Sequence, residues 1–549
     1  MILKRKDRRH KLPVFPYLFI RKEEQMKTLW HNGIIYTMNK ENETAEAVVT
    51  ENGRIVFVGP KKEADLFHAP FDRMISLEGA VMFPGFVDSH MHLIGLGEKL
   101  GRLDLTDMKS KREILAAVKD KLSSLKEGEW LIGEGWDENR WGTGEVITKD
   151  DLDQISDTIP ILLKRVCRHT VVANTPALKK AGIDETSVDP EGGKIERDED
   201  GQLTGILKDR AIDKIFQTLP KYTKDDLRKI LEIGVQHCWE NGLTGAHTED
   251  LNYYGDFWRT YRAFDHVIHR SSRKFRAHLL VHHEVIDEWR KAGFDFLFGS
   301  PFLEFGAMKI FADGSLGSRT ALLSAPYKDD PGTNGLEIHP NGRLTELVKK
   351  AREMGLPVAI HAIGDLAVER VLDVLDRFPP IRGRRDRIIH ANVLRMDLIA
   401  RLKKQNNLVL DIQPGFIHSD VVYLHKRLPN HLKTCVSPWK TILTAGIRCA
   451  GGSDAPIEEV NPFKHIGAVV ERADGRTNER LSVYEGVSLY TKGSAFACHH
   501  ELDRGRIQNG YKADFTIVDR DVFCLSPEEI LKTKIVMTVI DDELVYSVF

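Results

Sequence analysis

Eight short apolar runs, most of them followed by a helix-sized interval, constrain this chain more than any other feature. They lie at 81–87, 243–247, 275–281, 305–311, 357–361, 387–390, 408–412 and 447–452. Between them, Leu344 to Met354 and Leu366 to Phe378 have the pattern of helices. Strands alternating with helices imply a parallel sheet covered by helices. Eight such units are what a (β/α)8 TIM barrel of the α/β class requires.

The chain of 549 residues is long enough for a barrel and a smaller domain. A hydrophobic content of 42% and a charged content of 29% are ordinary for a globular protein. The net charge of -2 argues against a general attraction to nucleic acid or an anionic membrane. No apolar run is long enough to span a bilayer. Six cysteines are scattered without a C-x-x-C pair, as expected of reduced thiols in a cytoplasmic protein. Residues 1–25 join a basic front to a short apolar core that holds two prolines and runs into charges. A secretory signal is not expected from that pattern; the expectation is a disordered extension or a misassigned start ahead of Met26.

From 26 to about 80 the pattern is short strands with polar turns, and Glu51-Asn52-Gly53 is a hairpin signal. Apolar runs at 513–518, 535–540 and 544–546 supply the complement. Residues 26–82 and 503–549 are therefore expected to pair into one small β-sandwich beside a barrel of 83–502. Between the first and second runs lie roughly 150 residues, far more than a βα connection needs. This insertion, about 95–240, is expected to stand over the barrel mouth, where long loops build substrate sites. It carries Trp136, Asp137, Trp141, His169 and Asn174.

The first run ends in His90-Met91-His92. Side chains two apart on a strand face the same way, so two imidazoles converge as a divalent transition metal would need. Further candidates stand at the ends of later runs: Lys309 on the fourth, His361 on the fifth, His390 on the sixth and Asp454 after the eighth. Barrel active sites form at that face. Taken singly, His361 and His390 read as core or capping residues and Asp454 as a turn aspartate. Lys309 is harder to dismiss, because an apolar strand does not bury a lysine without purpose.

This ordered set resembles the amidohydrolase superfamily, and within it the YtcJ-like branch that includes N-substituted formamide deformylase. The blocks carrying the likeness are 84–92, Gly135-Trp136-Asp137, 309–321, 361–365 and 452–456. One departure is Ile389, where the family pattern has an acidic residue before the histidine of strand six. The resemblance implies one or two divalent ions, most simply zinc. His90, His92 and Asp454 would hold the first and His361 and His390 the second. Lys309 would bridge them as a carbamate if two are bound. Capture of carbon dioxide needs an uncharged amine, which burial favours. The alternatives are an ion pair of Lys309 with Asp313 or Asp454, or a single ion beside an unmodified lysine.

The implied reaction is hydrolysis of a non-peptide C–N bond in a small N-formyl, N-acyl or cyclic amide by metal-activated water. Asp454 would act as general base and then acid, with His361 or Arg319 holding the substrate. Trp136, Asp137, Trp141 and His169 are candidate substrate contacts; the tryptophans serve equally as the core of the insertion. His499-His500 reads as a surface pair. A homodimer is compatible with the chain. The competing functions are a small-molecule-binding or regulatory barrel without chemistry, and an isomerase or decarboxylase on the same scaffold.

Overall fold

The computed structural model describes residues 26–549 except 107, 126–127, 139–140, 142–144, 166–169, 191–192, 272 and 341. The side chains of 209, 422 and 423 are also outside the description. The N-terminal extension and His169 thus fall outside the described residues.

Eight parallel strands form the barrel: Phe86–Met91, Leu243–Thr248, Arg276–His282, Leu303–Phe311, Val358–Ala362, Asp386–His390, Leu408–Ile412 and Arg448–Gly451. Each pairs with its neighbour in sequence order. Between the eighth and the first, the Asp454 N–H donates to the His90 carbonyl at 2.8 Å. The central strands are buried on both faces, which is why they read as apolar runs without alternation. Helices such as Asp365–Arg377 cover the sheet with one apolar stripe of Val368, Val371, Leu372 and Leu375.

The first apolar run is divided between two sheets. Val81–Pro84 runs parallel to Lys27–Tyr36 and antiparallel to Phe515–Val518, whereas Phe86–Met91 opens the barrel. Gly85 is the joint: a Cβ there would stand 2.6 Å from the Thr244 side chain and 2.9 Å from that of Asp514. The β-sandwich expected from the chain ends takes the form of one eight-stranded sheet with apolar layers on both faces. Its hairpin turn has Asn52 and Gly53 at φ 51° and 73°, the left-handed pair that an Asn-Gly turn supplies. Asp542 joins the two ends, accepting from Thr28 Oγ1 at 2.8 Å, Thr50 Oγ1 at 2.7 Å and Trp30 Nε1 at 3.1 Å.

Barrel and end sheet are tied by a buried ion pair. Arg276, at the start of the third barrel strand, meets Asp514 Oδ2 at 2.5 Å and Oδ1 at 2.7 Å. Burial alone would raise the Asp514 carboxyl, but the Arg276 charge outweighs it and holds the group below its ordinary value. Replacing Arg276 by Met strands a buried carboxylate and is expected to cost about 3–5 kcal/mol in urea denaturation at neutral pH. A carboxylate held low in the folded chain contributes stability above its unfolded pKa, and loses it as the pH falls through the folded value. The gap between wild type and variant should therefore close in acid; a gap independent of pH would count against the pair.

The insertion is a six-stranded sheet from Leu103 to Asp209 with an apolar cluster on each side. Helices Leu93–Gly101 and Lys224–Glu240 lead into and out of it and pack against each other backbone to backbone. A Cβ on Gly97 would lie 1.9 Å from the Ile230 carbonyl oxygen, and one on Gly234 2.6 Å from that of Leu93. No helix among the described residues is long and apolar enough to cross a membrane. Cys238, Cys435, Cys449, Cys498 and Cys524 are free thiols, and Cys167 lies outside the described residues.

Candidate metal centre

Barrel register brings together side chains that are up to 364 residues apart. His90 and His92 leave the first strand, Lys309 faces inward near the end of the fourth, His361 and His390 end the fifth and sixth, and Asp454 follows the eighth. His90 Nε2 and His92 Nε2 each stand 3.4 Å from Asp454 Oδ1. Two donors each about 2.1 Å from a tetrahedral ion are separated by about 3.4 Å. Donor atoms of His90, His390 and Asp454 all lie within 4.8 Å of one another. The rings of His361 and His390 are 4.4 Å apart between centroids.

The backbone that presents these groups is held by buried carboxylates. Asp88 accepts the His90 N–H at 3.0 Å and the Ser453 N–H at 3.0 Å, so the loop carrying Asp454 is fastened to the strand carrying His90. Burial pushes the Asp88 carboxyl up to about 7 even though these donors pull it down. Asp313 accepts N–H bonds from Leu322, Ile363 and Gly364 at 2.8, 2.9 and 2.8 Å, which places the turn after His361. Asp454, His390 and Ala391 have φ of 57°, 76° and 48°. Left-handed backbone at a non-glycine residue costs about 1–3 kcal/mol and persists where surrounding contacts enforce it.

Electrostatics keep three of the four imidazoles neutral. Burial drives His90 and His361 well below their ordinary value and His390 to about 4. His92 Nδ1 donates to the Glu249 carbonyl at 2.7 Å, which turns Nε2 toward Asp454. Burial would lower His92 too, but the hydrogen bond and charge of Asp454 raise it to about 9. Asp454 responds in kind: burial is outweighed by His92, and its carboxyl lies below the usual range. A dication between them would displace that proton.

The residues fit such an ion. Nδ1 of His90 and of His390 are buried with no hydrogen-bond partner, and Lys309 is fully buried. Lys309 forms neither of the ion pairs considered from the sequence: Asp313 is occupied by backbone N–H groups, and Asp454 faces His90 and His92. Its Nζ lies 3.4 Å from His90 Nε2 and 4.3 Å above the Phe311 ring. Burial lowers its pKa.

Other candidates lie in different surroundings. Arg319, in the loop after the fourth strand, makes a two-point pair with Asp329 at 3.2 and 2.7 Å. Trp136 and Trp141 stack in the apolar core of the insertion with centroids 6.2 Å apart, and Asp137 pairs with Arg165 at 2.9 Å. Asn174 caps a helix by accepting the Ala177 N–H. Ile389 packs inside the barrel with Leu280, Ala307 and Ala359. The structure also adds residues that the sequence reading passed over. Tyr253, Phe311 and Phe416 set rings against these imidazoles, 6.0 Å from His92, 5.3 Å from His361 and, stacked, 5.8 Å from His390, and His282 stands beside Tyr253 and Phe311. His282 ends the third strand and Phe311 the fourth, so unfilled strand ends were the available signal.

A model of the amidohydrolase family matches residues 73–546. The chain belongs to the amidohydrolase family. It is 46% identical over 531 residues to the amidohydrolase-family protein YtcJ of Bacillus subtilis (strain 168), covering 95% of this chain and 100% of that protein. N-substituted formamide deformylase of Arthrobacter pascens is 24% identical over 544 residues, covering 94% and 97%. Among solved structures, a metal-dependent hydrolase from Pyrococcus furiosus superposes with a TM-score of 0.76 at 30% identity, covering 90% of this chain and 100% of its own. This amidohydrolase is accordingly a hydrolase with a divalent-metal centre on a TIM barrel.

Proposed function

We propose that this amidohydrolase cleaves a non-peptide C–N bond of a small N-formyl amine, N-acyl amine or cyclic amide. The observation that carries this reading is the meeting of His90, His92 and Asp454 at 3.4 Å beside the buried Lys309. A bound divalent ion, most simply zinc, supplies Lewis acidity that acidifies water and polarises a carbonyl. His90, His92 and Asp454 would hold one ion, with His361 and His390 completing the centre or holding a second. Lys309 would bridge two ions as a carbamate.

The protein's own groups manage the proton. Asp454 is ionised at neutral pH, so its carboxylate can take a proton from the attacking water and deliver it to the leaving nitrogen. The Glu249 carbonyl keeps the His92 ring in its ligating orientation. Tyr253, His282, Phe311 and Phe416 favour a flat apolar substituent on the substrate. Arg319 remains the candidate for anchoring a polar end of it. Similarity to the Arthrobacter deformylase makes N-formyl amines the first class to screen. Exhaustive chelation is expected to abolish turnover of whichever amide is found, and added zinc to restore it. Undiminished hydrolysis by the metal-stripped protein would reject the mechanism.

A further inference from the structure

The opposite end of the barrel holds a second group of metal-type donors. Glu304 is the second residue of the fourth strand and His278 the third of the third strand, while Cys498 and His500 follow the helix Ser494–Ala497. His278 Nδ1 stands 2.9 Å from Glu304 Oε1, and His500 Nε2 stands 2.8 Å from the same oxygen. Donor atoms of Glu304, Cys498 and His500 all lie within 4.8 Å of one another. His499-His500 is therefore not a surface pair: both are half-buried, and His500 reaches inward to Glu304.

An independent observation points to a ligand at this end. His247, on the second strand, is 1% exposed, and neither ring nitrogen has a hydrogen-bond partner. Its ring centroid is 4.9 Å from that of His278. His247, His278, Glu304 and Cys498 line a cavity of about 20 Å³, room for about one water-sized occupant. A buried imidazole with both nitrogens unpaired is costly.

We propose that this floor is a second metal site, taking zinc or a similar borderline-soft dication on His278, Glu304, Cys498 and His500, with His247 as the adjacent donor. Two imidazoles, a thiolate and a carboxylate are the mixed donor set that zinc accepts in closed, four-protein-ligand structural sites. Charge supports the match, since thiolate and carboxylate together neutralise the ion. Two guanidinium groups also line the cavity, Arg276, which is paired with Asp514, and Arg504; Arg387 nearby is paired with Asp411 at 2.6 Å. Burial keeps His247 and His278 below their ordinary value, in the neutral form that ligates. Binding would ionise the buried Cys498 thiol and release its proton. The ion would pin the segment after the barrel to the third and fourth strands.

Cobalt substitution tests this directly, because the catalytic centre offers only nitrogen and oxygen donors. Cobalt(II)-loaded full-length protein is expected to show a near-ultraviolet sulfur-to-cobalt charge-transfer band. That band should disappear in Cys498→Ser, weaken or shift in His500→Gln, and persist in Asp454→Asn. Metal analysis of the zinc-loaded proteins should show Cys498→Ser binding one equivalent less than wild type. Absence of the band in folded wild type, or its survival in Cys498→Ser, overturns the proposal and leaves a hydrogen-bonded His–Glu–His plug. If Cys498→Ser does not fold, the wild-type spectrum and the His500→Gln variant decide.

Discussion

Asp454→Asn is expected to lower kcat by about 10²–10⁴-fold, the range that a positioned general base contributes. Asparagine keeps the shape and the backbone N–H bond to the His90 carbonyl, so the loop should stay in place. It cannot carry the negative charge that raises His92 and cannot accept a proton from water. Because Asp454 is also a candidate ligand, the rate must be measured at saturating zinc with bound metal determined in parallel. A full complement of metal with a depressed kcat assigns Asp454 the proton; wild-type kcat at full occupancy removes it from the mechanism. The KM of the variant should move far less than kcat, since the charge acts on the reacting water rather than on bound substrate.

Lys309→Met separates chemistry from stability. The wild-type amine is fully buried and, among the described residues, forms no ion pair. Removing it relieves a desolvated polar group, so the denaturation midpoint is expected to hold or rise. Activity is expected to fall about 10³-fold, because a lost ligand bridge forfeits several kcal/mol of transition-state stabilisation. If Lys309 were instead half of a structural ion pair, the variant would lose about 3–5 kcal/mol of stability. The carbamate reading adds a further outcome: wild type reloaded with zinc should regain activity faster with bicarbonate than without it.

Much of the site could be read from the chain because each contributor occupies the same kind of place. His361 and His390 end apolar strands, His90 and His92 leave one, and Asp454 follows one. Parallel barrel topology gathers those ends whatever the loops between them. Glu249 escaped notice because its contribution is a backbone carbonyl, which any residue possesses. Tyr253 and Phe416 escaped because an aromatic ring beside a strand end looks the same in sequence whether it faces a site or a core.

Period determined the barrel strands, and turn chemistry the hairpin at Asn52-Gly53, since each of these depends on residues close together in sequence. Tertiary structure alone decided the rest. It divided the run 81–87 at Gly85 between two sheets, because Thr244 and Asp514 crowd that position from distant parts of the chain. It turned His500 from an exposed residue into a partner of Glu304, and left Lys309 without an ion pair to either carboxylate considered from the sequence. Which face a side chain takes follows from local geometry; what it meets there is set by register between segments hundreds of residues apart, and no local pattern encodes that distance.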